Sequence, residues 1–521
     1  MNFIQDAEAL ARNYLNVTPE IVINSLELGL IACTFWAIYL WRSSEKNLPP
    51  GPVGVPILGY LPFLGKEAYR TLHDLTFTYG PIFSLYLGRR LVVVLGTFEV
   101  VKEALSNNDI LDRPKNPPNH LLPDSTSLSI SNGQVWKEQR RTSVRILRDL
   151  GMEKPAMETQ IQEELNKFTK EIDSRRGHAM NLDEVLLPSV SNNILAMLIG
   201  HSLDYKHKDR IFLNTILKTM VLYFRPTRLH AYFPNAKFWM AKFKIWGYDQ
   251  MQDKMNSLSN FLEEVIKKHK EHFDKQAPTS YIDAYLLTMA NRDKNSSFTD
   301  KMLKGNFLSL LGAGSSPTQA TIKWALASMI LYPEIQEKVH QELDSVIGKD
   351  RLPSWSDHIS LPYTLAVVYE TLRQYSTVPI SMLRSTAKRC KIAGYDIPKD
   401  SIIMTNIWGV HHDPQYWEDP SSFKPERFLQ NGKVVRPPAF IPFSYGKRNC
   451  LGEHMAEVEV FLYFTRLMQR YIITLPDNVE KKFNEVLGIA KVVFLSNICL
   501  KLRDEVYSEK MDSALKDAKA K

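Results

Sequence analysis

Residues 443–452, with the sequence FSYGKRNCLG, constrain the fold of this chain more than any other stretch. They place Cys450 in a short glycine-containing turn. A segment from Leu451 to about Arg470 follows directly, and its pattern predicts a long helix. A thiolate at that point has its negative charge stabilised by the helix N-terminus and by nearby backbone N–H groups. The turn therefore predicts that Cys450 supplies a metal-binding sulfur.

Four further residues of this turn suit a flat, acidic cofactor. Gly446 and Gly452 lack the side chains that would block close approach of a planar group. Phe443 offers an apolar face, and Arg448 offers a cation for an acidic group. Haem b is the cofactor that this set predicts, because a thiolate ligand pushes electron density onto iron and favours O–O cleavage. The alternative is an idle cysteine in an ordinary loop, which is the commoner case for a single cysteine.

The turn fits the pattern Phe-x-x-Gly-x-Arg-x-Cys-x-Gly at all five specified positions, and it resembles the ligand loop of the cytochrome P450 superfamily. The resemblance covers about residues 49–502. It implies a mainly α fold with small β-sheets, an α+β class, around one haem-thiolate site. It also implies a microsomal monooxygenase with Cys450 as the metal ligand.

The composition narrows the class of partner. Hydrophobic residues make up 44% of the 521 residues and charged residues 23%, which describes a well-cored globular chain. The formal net charge is +8. Without a long basic run or a stacking platform, this excess does not indicate nucleic-acid binding and suits an acidic protein partner or an anionic membrane surface. The cysteines form no C-x-x-C pair, which argues against a disulfide framework; they are Cys33, Cys390, Cys450 and Cys499.

Residues 21–41 form a mostly apolar run of the length that crosses a bilayer, about 30 Å at ~1.5 Å per residue. Glu27 near its middle weakens the prediction. A cleaved signal peptide and a buried core helix are the competing interpretations. Arg42 and Lys46 follow the run and acidic residues precede it, so the bulk of the chain is expected on the cytoplasmic side. We therefore predict a single-pass anchor in the endoplasmic reticulum membrane.

This anchor sets the predicted domain plan. Residues 1–20 would be lumenal, and residues 42–52 a basic and proline-rich hinge, since the Pro-Pro-Gly-Pro run cannot be helix or inner strand. The catalytic domain would span residues 53–502, before a charged tail at residues 503–521. Within the domain, a hairpin is predicted at 82–87 and 91–95, and a long loop at 113–131. Further predicted elements are helices at 97–105, 136–150, 304–331, 333–347 and 361–375, mostly amphipathic helix over 154–296, and a strand at 378–384.

The resemblance assigns residues to the cofactor and to the ligand loop. Trp136 and Arg140 match a helix that reaches a haem propionate in the family, and Arg384 matches another propionate partner. With Arg448, these arginines would face two carboxylates. A structural network is also implied, in which Glu370 and Arg373 share a helix face and Arg427 joins them.

The oxygen-activating segment departs from the family pattern. The family usually reads Ala-Gly-x-(Asp/Glu)-Thr-Thr, whereas this chain reads Ala313, Gly314, Ser315, Ser316, Pro317 and Thr318. Ser316 thus stands where the family usually has the acid, and Pro317 stands where it usually has the alcohol. A proline removes its own N–H and clashes with the carbonyl four residues earlier, so a kink at Ala313 is expected. Ala313, Gly314, Ser316 and Thr318 are the candidate catalytic residues, with protons delivered through water.

Three functions follow from these residues. The first is insertion of one oxygen atom from O2 into a lipophilic substrate such as a sterol, fatty acid or xenobiotic. Electrons would come from NADPH through a flavoprotein reductase, with cytochrome b5 as an optional partner. The alternative is a reductase-independent isomerase or dehydratase of a lipid peroxide. The third is a non-catalytic haem sensor or sterol carrier. Candidate cavity residues lie at 114–129, at Ala313, at 378–383 and near 487–489.

Overall fold

The structure is a computed structural model that describes residues 47–115, 126–223, 236–272, 276–292, 296–488 and 490–506, with isolated positions outside these ranges. The predicted lumenal segment, most of the anchor and most of the charged tail lie outside the described residues. Among the helices that the described residues form, none is long and apolar enough to cross a membrane.

Helices dominate the described chain and surround one large apolar core. The longest helix, Asp300–Leu331, is capped at its start, where the Thr299 hydroxyl accepts a hydrogen bond from the N–H of Met302. It is apolar around most of its circumference, as expected for a helix at the centre of a domain. The helices are α1 (Ala68–Tyr79), α2 (Phe98–Ser106), α3 (Gly133–Asp149), α4 (Pro155–Asp173), α5 (Asp183–Ile199), α6 (Lys208–Tyr223), α7 (Ala236–Lys242), α8 (Tyr248–His272), α9 (Tyr281–Ala290), α10 (Asp300–Leu331), α11 (Pro333–Val346), α12 (Pro362–Tyr375), α13 (Ile407–His411) and α14 (Glu453–Arg470).

The strands are short and form small sheets, which agrees with the predicted mainly α class. One sheet has four strands in the order β1-β2-β6-β3, with β2 and β6 parallel and the other pairs antiparallel. The others are two-stranded: β4 with β5, β7 with β8, β9 with β12, and β10 with β11. The strands are β1 (Ile82–Leu87), β2 (Arg90–Leu95), β3 (Arg384–Ser385), β4 (Cys390–Ile392), β5 (Tyr395–Ile397), β6 (Ile402–Thr405), β7 (Leu429–Gln430), β8 (Lys433–Val434), β9 (Tyr471–Thr474), β10 (Glu485–Leu487), β11 (Lys491–Val493) and β12 (Cys499–Leu502).

The predicted hairpin and long helices are confirmed to within a few residues at each end. The strand predicted at 378–384 is wrong except for its last residue. Its first part contains Pro379, which has no N–H to donate to a ladder. It meets β6 and α13 through single contacts instead: Ile380 bridges Asn406, and the N–H of Ser381 donates to the carbonyl of Thr405.

The long helix α10 stays α-helical through Pro317, so the proline does not end it. Helix α10 packs against α5, α12 and α14, and strand β11 lies along its C-terminal half. The segment of α10 around Pro317 is thus held from several sides. This packing explains how a residue that disfavours helix interiors is accommodated.

Candidate active site

The turn before α14 presents Cys450 at the start of that helix. The N–H of Cys450 donates to the carbonyl of Phe443 at 2.9 Å and closes the turn. Gly452 is the N-cap residue of α14. Cys450 borders open space although protein surrounds it, whereas Cys390 and Cys499 are buried. Cys450 is therefore the cysteine of these three that can reach a ligand.

The surroundings of the Cys450 sulfur determine its charge. Desolvation by the enclosing protein raises the pKa of the thiol to about 11, and Glu453 adds to this effect. A hydrogen bond from the Gly452 N–H and the charge of Arg140 lower the pKa in the opposite direction. Burial therefore favours the neutral thiol, whereas a bound metal cation would favour the thiolate.

Gly446 is required by the packing of the protein itself rather than by a cofactor. Its φ is +75°, in the left-handed region. A Cβ at this position would lie 2.1 Å from the carbonyl oxygen of Leu105 in α2. At Gly452, in contrast, an added Cβ would meet nothing within 4 Å. The expectation of open space beside the turn therefore suits Gly452 only.

The predicted arginines Arg140, Arg384 and Arg448 come together, and Arg113 joins them as a residue that sequence reasoning missed. We call these four residues the arginine cluster. None of the four forms an ion pair with a carboxylate of the described residues. Burial lowers the pKa of Arg113 well below its usual range, and the charges of the other three lower it further. Asp112 is close enough for its charge to raise the pKa of Arg448, but it forms no ion pair with that residue. The cluster is thus a concentration of positive charge that no carboxylate of the described residues pairs directly.

The bonds of the predicted cluster members leave donors unused. The Nη2 of Arg384 donates to the carbonyl of Tyr445 at 2.8 Å, and the Nη2 of Arg140 donates to the carbonyl of Asn449 at 3.1 Å. The Nη2 of Arg448 donates to the carbonyl of Ser131 at 2.5 Å. The buried Nη1 of Arg384 and Nε of Arg448 have no hydrogen-bond partner. Buried donors of this kind point to an absent acceptor.

Arg113 is fixed by backbone carbonyls. Its Nη1 donates to the carbonyls of Met382 and Leu383, both at 2.8 Å, and its Nε donates to the carbonyl of Ser129 at 3.0 Å. It therefore ties the predicted loop after α2 to the segment before β3. The two carboxylates of haem b match a cluster of this charge, so the residues present fit that cofactor.

The structure brings Glu370, Arg373 and Arg427 together. Glu370 accepts from Arg373 through both carboxylate oxygens, at 2.7 and 2.8 Å, and from the Nε of Arg427 at 3.1 Å. The N–H of Lys424 adds a fourth donor at 2.8 Å. The remaining guanidinium N–H groups of both arginines reach backbone carbonyls, among them that of Ser422. A buried ion network of this kind is tolerable because its members are satisfied.

His411 links this network to the ligand turn, and no motif in the sequence marked it. Its carbonyl accepts from Arg373 at 2.8 Å, its Nδ1 lies 2.8 Å from the Ser376 hydroxyl, and its Nε2 accepts from the N–H of Ile441 at 3.0 Å. Burial, followed by the charge of Arg373, lowers the pKa of His411 to about 3. The neutral ring is therefore a fixed spacer between α12 and residues just before Phe443.

The candidate oxygen-side residues of α10 divide between two faces. Ala313 is exposed in the middle of a buried helix, so it borders open space. Ser316, three residues later, lies on the same side, and its buried hydroxyl has no hydrogen-bond partner. A Cβ on Gly314 would lie 3.1 Å from Ile194 of α5, and Thr318 follows Gly314 by four residues. Ala313 and Ser316 thus lie on one side of α10, whereas Gly314 faces α5 and helical spacing puts Thr318 on the side of Gly314.

Comparisons with known proteins agree with this geometry. Residues 49–496 match the family Cytochrome P450. The chain is 35% identical to cytochrome P450 2J1 of Oryctolagus cuniculus over 483 residues, which cover 91% of this chain and 95% of that protein. It is 35% identical to cytochrome P450 2J2 of Homo sapiens over 475 residues, 89% of this chain and 93% of that protein. It is 32% identical to cytochrome P450 2U1 of Bos taurus over 510 residues, 92% of this chain and 93% of that protein.

The family match spans most of the chain, and these relatives are covered almost from end to end. Such coverage assigns a cytochrome P450 monooxygenase, the class of enzyme that carries haem b. The chain therefore belongs to the cytochrome P450 family.

Proposed function

We propose that Cys450 would supply the thiolate ligand of haem b and that the arginine cluster would hold its two propionates. The observation that carries this proposal is the set of four arginines without a carboxylate partner, two of which carry buried, unused donors. When bound, haem supplies the redox chemistry that activates O2, and its thiolate ligand favours O–O cleavage. The chain's residues have the tasks of holding, orienting and shielding this group.

Each part of the site has a definite task in this proposal. Arg113, Arg140, Arg384 and Arg448 neutralise and orient the two acids. Trp136 is 6% exposed and covers the guanidinium of Arg448. It would therefore keep water from the pair that Arg448 forms with a propionate. The Glu370 network and His411 fix the approach to Phe443 and so fix the direction of the Cys450 sulfur. The turn is thereby preorganised for its ligand.

Ala313 and Ser316 of α10 would border the oxygen site. The unused Ser316 hydroxyl is placed to hold a water molecule that supplies protons. The Ser315 hydroxyl is already committed to the Leu311 carbonyl at 2.6 Å. Thr318 remains in the proposal as a support for the helix and its contact with α5. Ser316 is therefore the proposed proton-relay residue of this segment.

An electron donor is proposed to bind the exposed face of α3. Lys137, Arg141, Arg145 and Arg148 line one side of this helix and border a groove of about 540 Å³ that also reaches Arg140. A cationic groove next to the cofactor suits an acidic flavoprotein reductase, with cytochrome b5 as an optional second donor. Raising the ionic strength should weaken this association.

Single-pass anchoring by residues 21–41, with the catalytic domain in the cytoplasm, is also part of the proposal. A second membrane contact, made by the domain itself, is supported by its exposed apolar side chains. Phe238, Trp239 and Phe243 are 59%, 48% and 62% exposed, and Ile57 and Phe63 are 68% and 50% exposed. Deleting residues 1–46 should release only part of the protein from vesicles and leave the haem spectrum unchanged. Loss of haem on this deletion would contradict the proposed separation of anchor and fold.

The experiment that tests the function is NADPH consumption by the purified protein with a flavoprotein reductase and a panel of sterols, fatty acids and xenobiotics. Substrate-dependent NADPH use, with one oxygen atom from labelled O2 in the product, is the expected result. Strict dependence on the reductase would support the partner. Conversion of substrate without reductase or NADPH would contradict the monooxygenase cycle proposed here.

The second candidate function is rearrangement of a lipid peroxide without a reductase. Pro317 and Ser316 favour it, because they replace the alcohol and acid that usually deliver protons to oxygen. A ready-made peroxide needs no such delivery. Rapid conversion of a fatty-acid hydroperoxide in the absence of NADPH, with no NADPH-driven activity on the panel, would favour this candidate over the first.

A further inference from the structure

A buried lysine beside α10 has no task in the proposed reaction. Lys491 begins β11, and its side chain is only 4% exposed. Burying an ammonium group is costly unless it is paired. Its Nζ lies 3.3 Å from the Oε2 of Glu485 on the facing strand β10. The other oxygen of Glu485 lies 3.4 Å from the hydroxyl of Tyr69 in α1. This lysine is therefore held at a defined point.

Three aromatic rings surround the Lys491 ammonium. Its Nζ lies 5.0 Å from the ring centroid of Trp324, 5.4 Å from that of Tyr69 and 5.8 Å from that of Tyr375. The rings of Trp324 and Tyr375 are stacked at 4.0 Å. These rings belong to α10, α1 and α12, so one cation joins three helices. We call the three rings the aromatic cage. Cation–π attraction is strongest for desolvated cations such as this one.

The backbone of Lys491 is fixed by the same surroundings. Its N–H donates to the carbonyl of Thr377 at 2.7 Å, and its carbonyl accepts from the Nε1–H of Trp324 at 2.9 Å. The Thr377 hydroxyl lies 2.9 Å from that of Thr321, which donates to the Pro317 carbonyl. A short chain of hydrogen bonds thus connects Lys491 to Pro317 in α10.

Gly488 and Ala490, the described residues between β10 and β11, pack against α6 and α10. The N–H of Gly488 donates to the carbonyl of Ala490 at 2.9 Å, which makes the turn tight. A Cβ at Gly488 would lie 1.8 Å from the carbonyl oxygen of Val221. Ala490 packs against Ala320, one helical turn after Ser316 on the same face of α10. The turn is therefore seated next to the proposed oxygen site.

We infer that Lys491 is a positioning residue: its charge, held by Glu485 and the aromatic cage, fixes the β10–β11 turn as a wall of the substrate cavity. The inference rests on the proposed location of the oxygen site at Ala313 and Ser316. It makes the length of substrate that the cavity accepts depend on a residue outside the catalytic machinery. An apolar side chain of similar size would fill the same space but lose both the ion pair and the attraction to the rings.

Amide hydrogen exchange of the full-length haem protein tests the first half of this inference. Lys491→Met keeps the volume and removes the charge, so exchange in β10 and β11 should be about tenfold faster. Lys491→Arg keeps a cation over the rings and should restore most of the protection. Lys304→Met removes another part-buried lysine of α10, paired with Glu263, and should leave β10 and β11 unchanged. Unchanged exchange in Lys491→Met would overturn the inference.

Spectral titration with N-butylimidazole and N-dodecylimidazole tests the second half, because the imidazole ligates the haem and the tail probes the cavity. In Lys491→Met, the preference between the two tails should change by about tenfold, the effect of gaining or losing burial of about two methylene groups. Faster exchange without a changed preference would show that the turn is not a cavity wall and would overturn that assignment. Failure of the parent protein to bind either imidazole would instead contradict the proposed haem site.

Discussion

The guanidinium of Arg448 lies 4.1 Å from the ring centroid of Trp136, so a cation of the arginine cluster rests on the face of an indole. Both side chains are buried. The desolvated guanidinium is attracted to the ring, and its pKa is lowered to about 9, first by burial and then by the charge of Arg384. This pair holds a positive charge where a carboxylate of the cofactor is required.

Removing one member of the cluster should weaken haem retention. Arg113→Met takes away a buried cation, so transfer of haem to an acceptor protein should become about tenfold to a hundredfold faster, as expected for lost charge-assisted hydrogen bonds. Arg145→Met, at an exposed position of α3, is the matched control and should leave the transfer rate unchanged. Equal rates for both variants would contradict the role of the cluster.

The Glu370 network should be far more sensitive than a surface ion pair. Glu370→Ala leaves two buried arginines without their carboxylate, which costs about 3 to 5 kcal/mol, and little haem protein should be recovered. Glu426→Ala breaks the exposed pair with Lys338 at 3.0 Å and should cost at most about 1 kcal/mol. The measurement is the yield of CO-binding protein and its thermal midpoint. A normal yield from Glu370→Ala would refute the structural role.

Stability should depend on pH through Glu459. Complete burial raises the pKa of this carboxyl to about 8, and Asn193 binds it at 2.6 Å. Between its ordinary pKa of about 4.5 and pH 8, the folded protein keeps a proton that the unfolded chain releases, so stability falls as pH rises. Glu459→Gln removes this loss. Its thermal midpoint should match the parent near pH 5 and exceed it near pH 8, with exposed Glu163→Gln as control; the opposite order would contradict the assignment.

The two faces of α10 should respond differently to mutation. Ser316→Ala removes the proposed water-holding hydroxyl, and product formed per NADPH consumed should fall by about tenfold or more. Thr318→Ala, on the face toward α5, should change this ratio much less. Neither variant should slow peroxide rearrangement. A larger effect of Thr318→Ala than of Ser316→Ala would show that the relay uses the α5 face.

The sequence was informative wherever local pattern and fixed spacing decide the structure. The turn around Cys450, the helix after it and the pairing of Glu370 with Arg373 depend on neighbours in the chain, and each could be predicted. The long core helix α10 could also be predicted, because its sequence is apolar over most of its length. Its division into two faces could not, because the faces depend on which helices pack against it.

The features that were missed depend on contacts between distant segments. Arg113 lies in a loop, and the carbonyls that fix it belong to Met382 and Leu383, about 270 positions away in the chain. The role of Gly446 depends on Leu105 of another helix. The three rings around Lys491 come from three separate elements. Periodicity and spacing in the sequence carry no signal for such long-range contacts.

The central claim is that Cys450 is the haem ligand, and the CO difference spectrum of the reduced protein tests it most directly. The parent protein and the Cys390→Ser and Cys499→Ser variants should show the band typical of thiolate-ligated haem, since both of those cysteines are buried in strands. Cys450→Ser should lose that band. Retention of the thiolate band in Cys450→Ser, or its loss in either of the other two variants, would contradict the account.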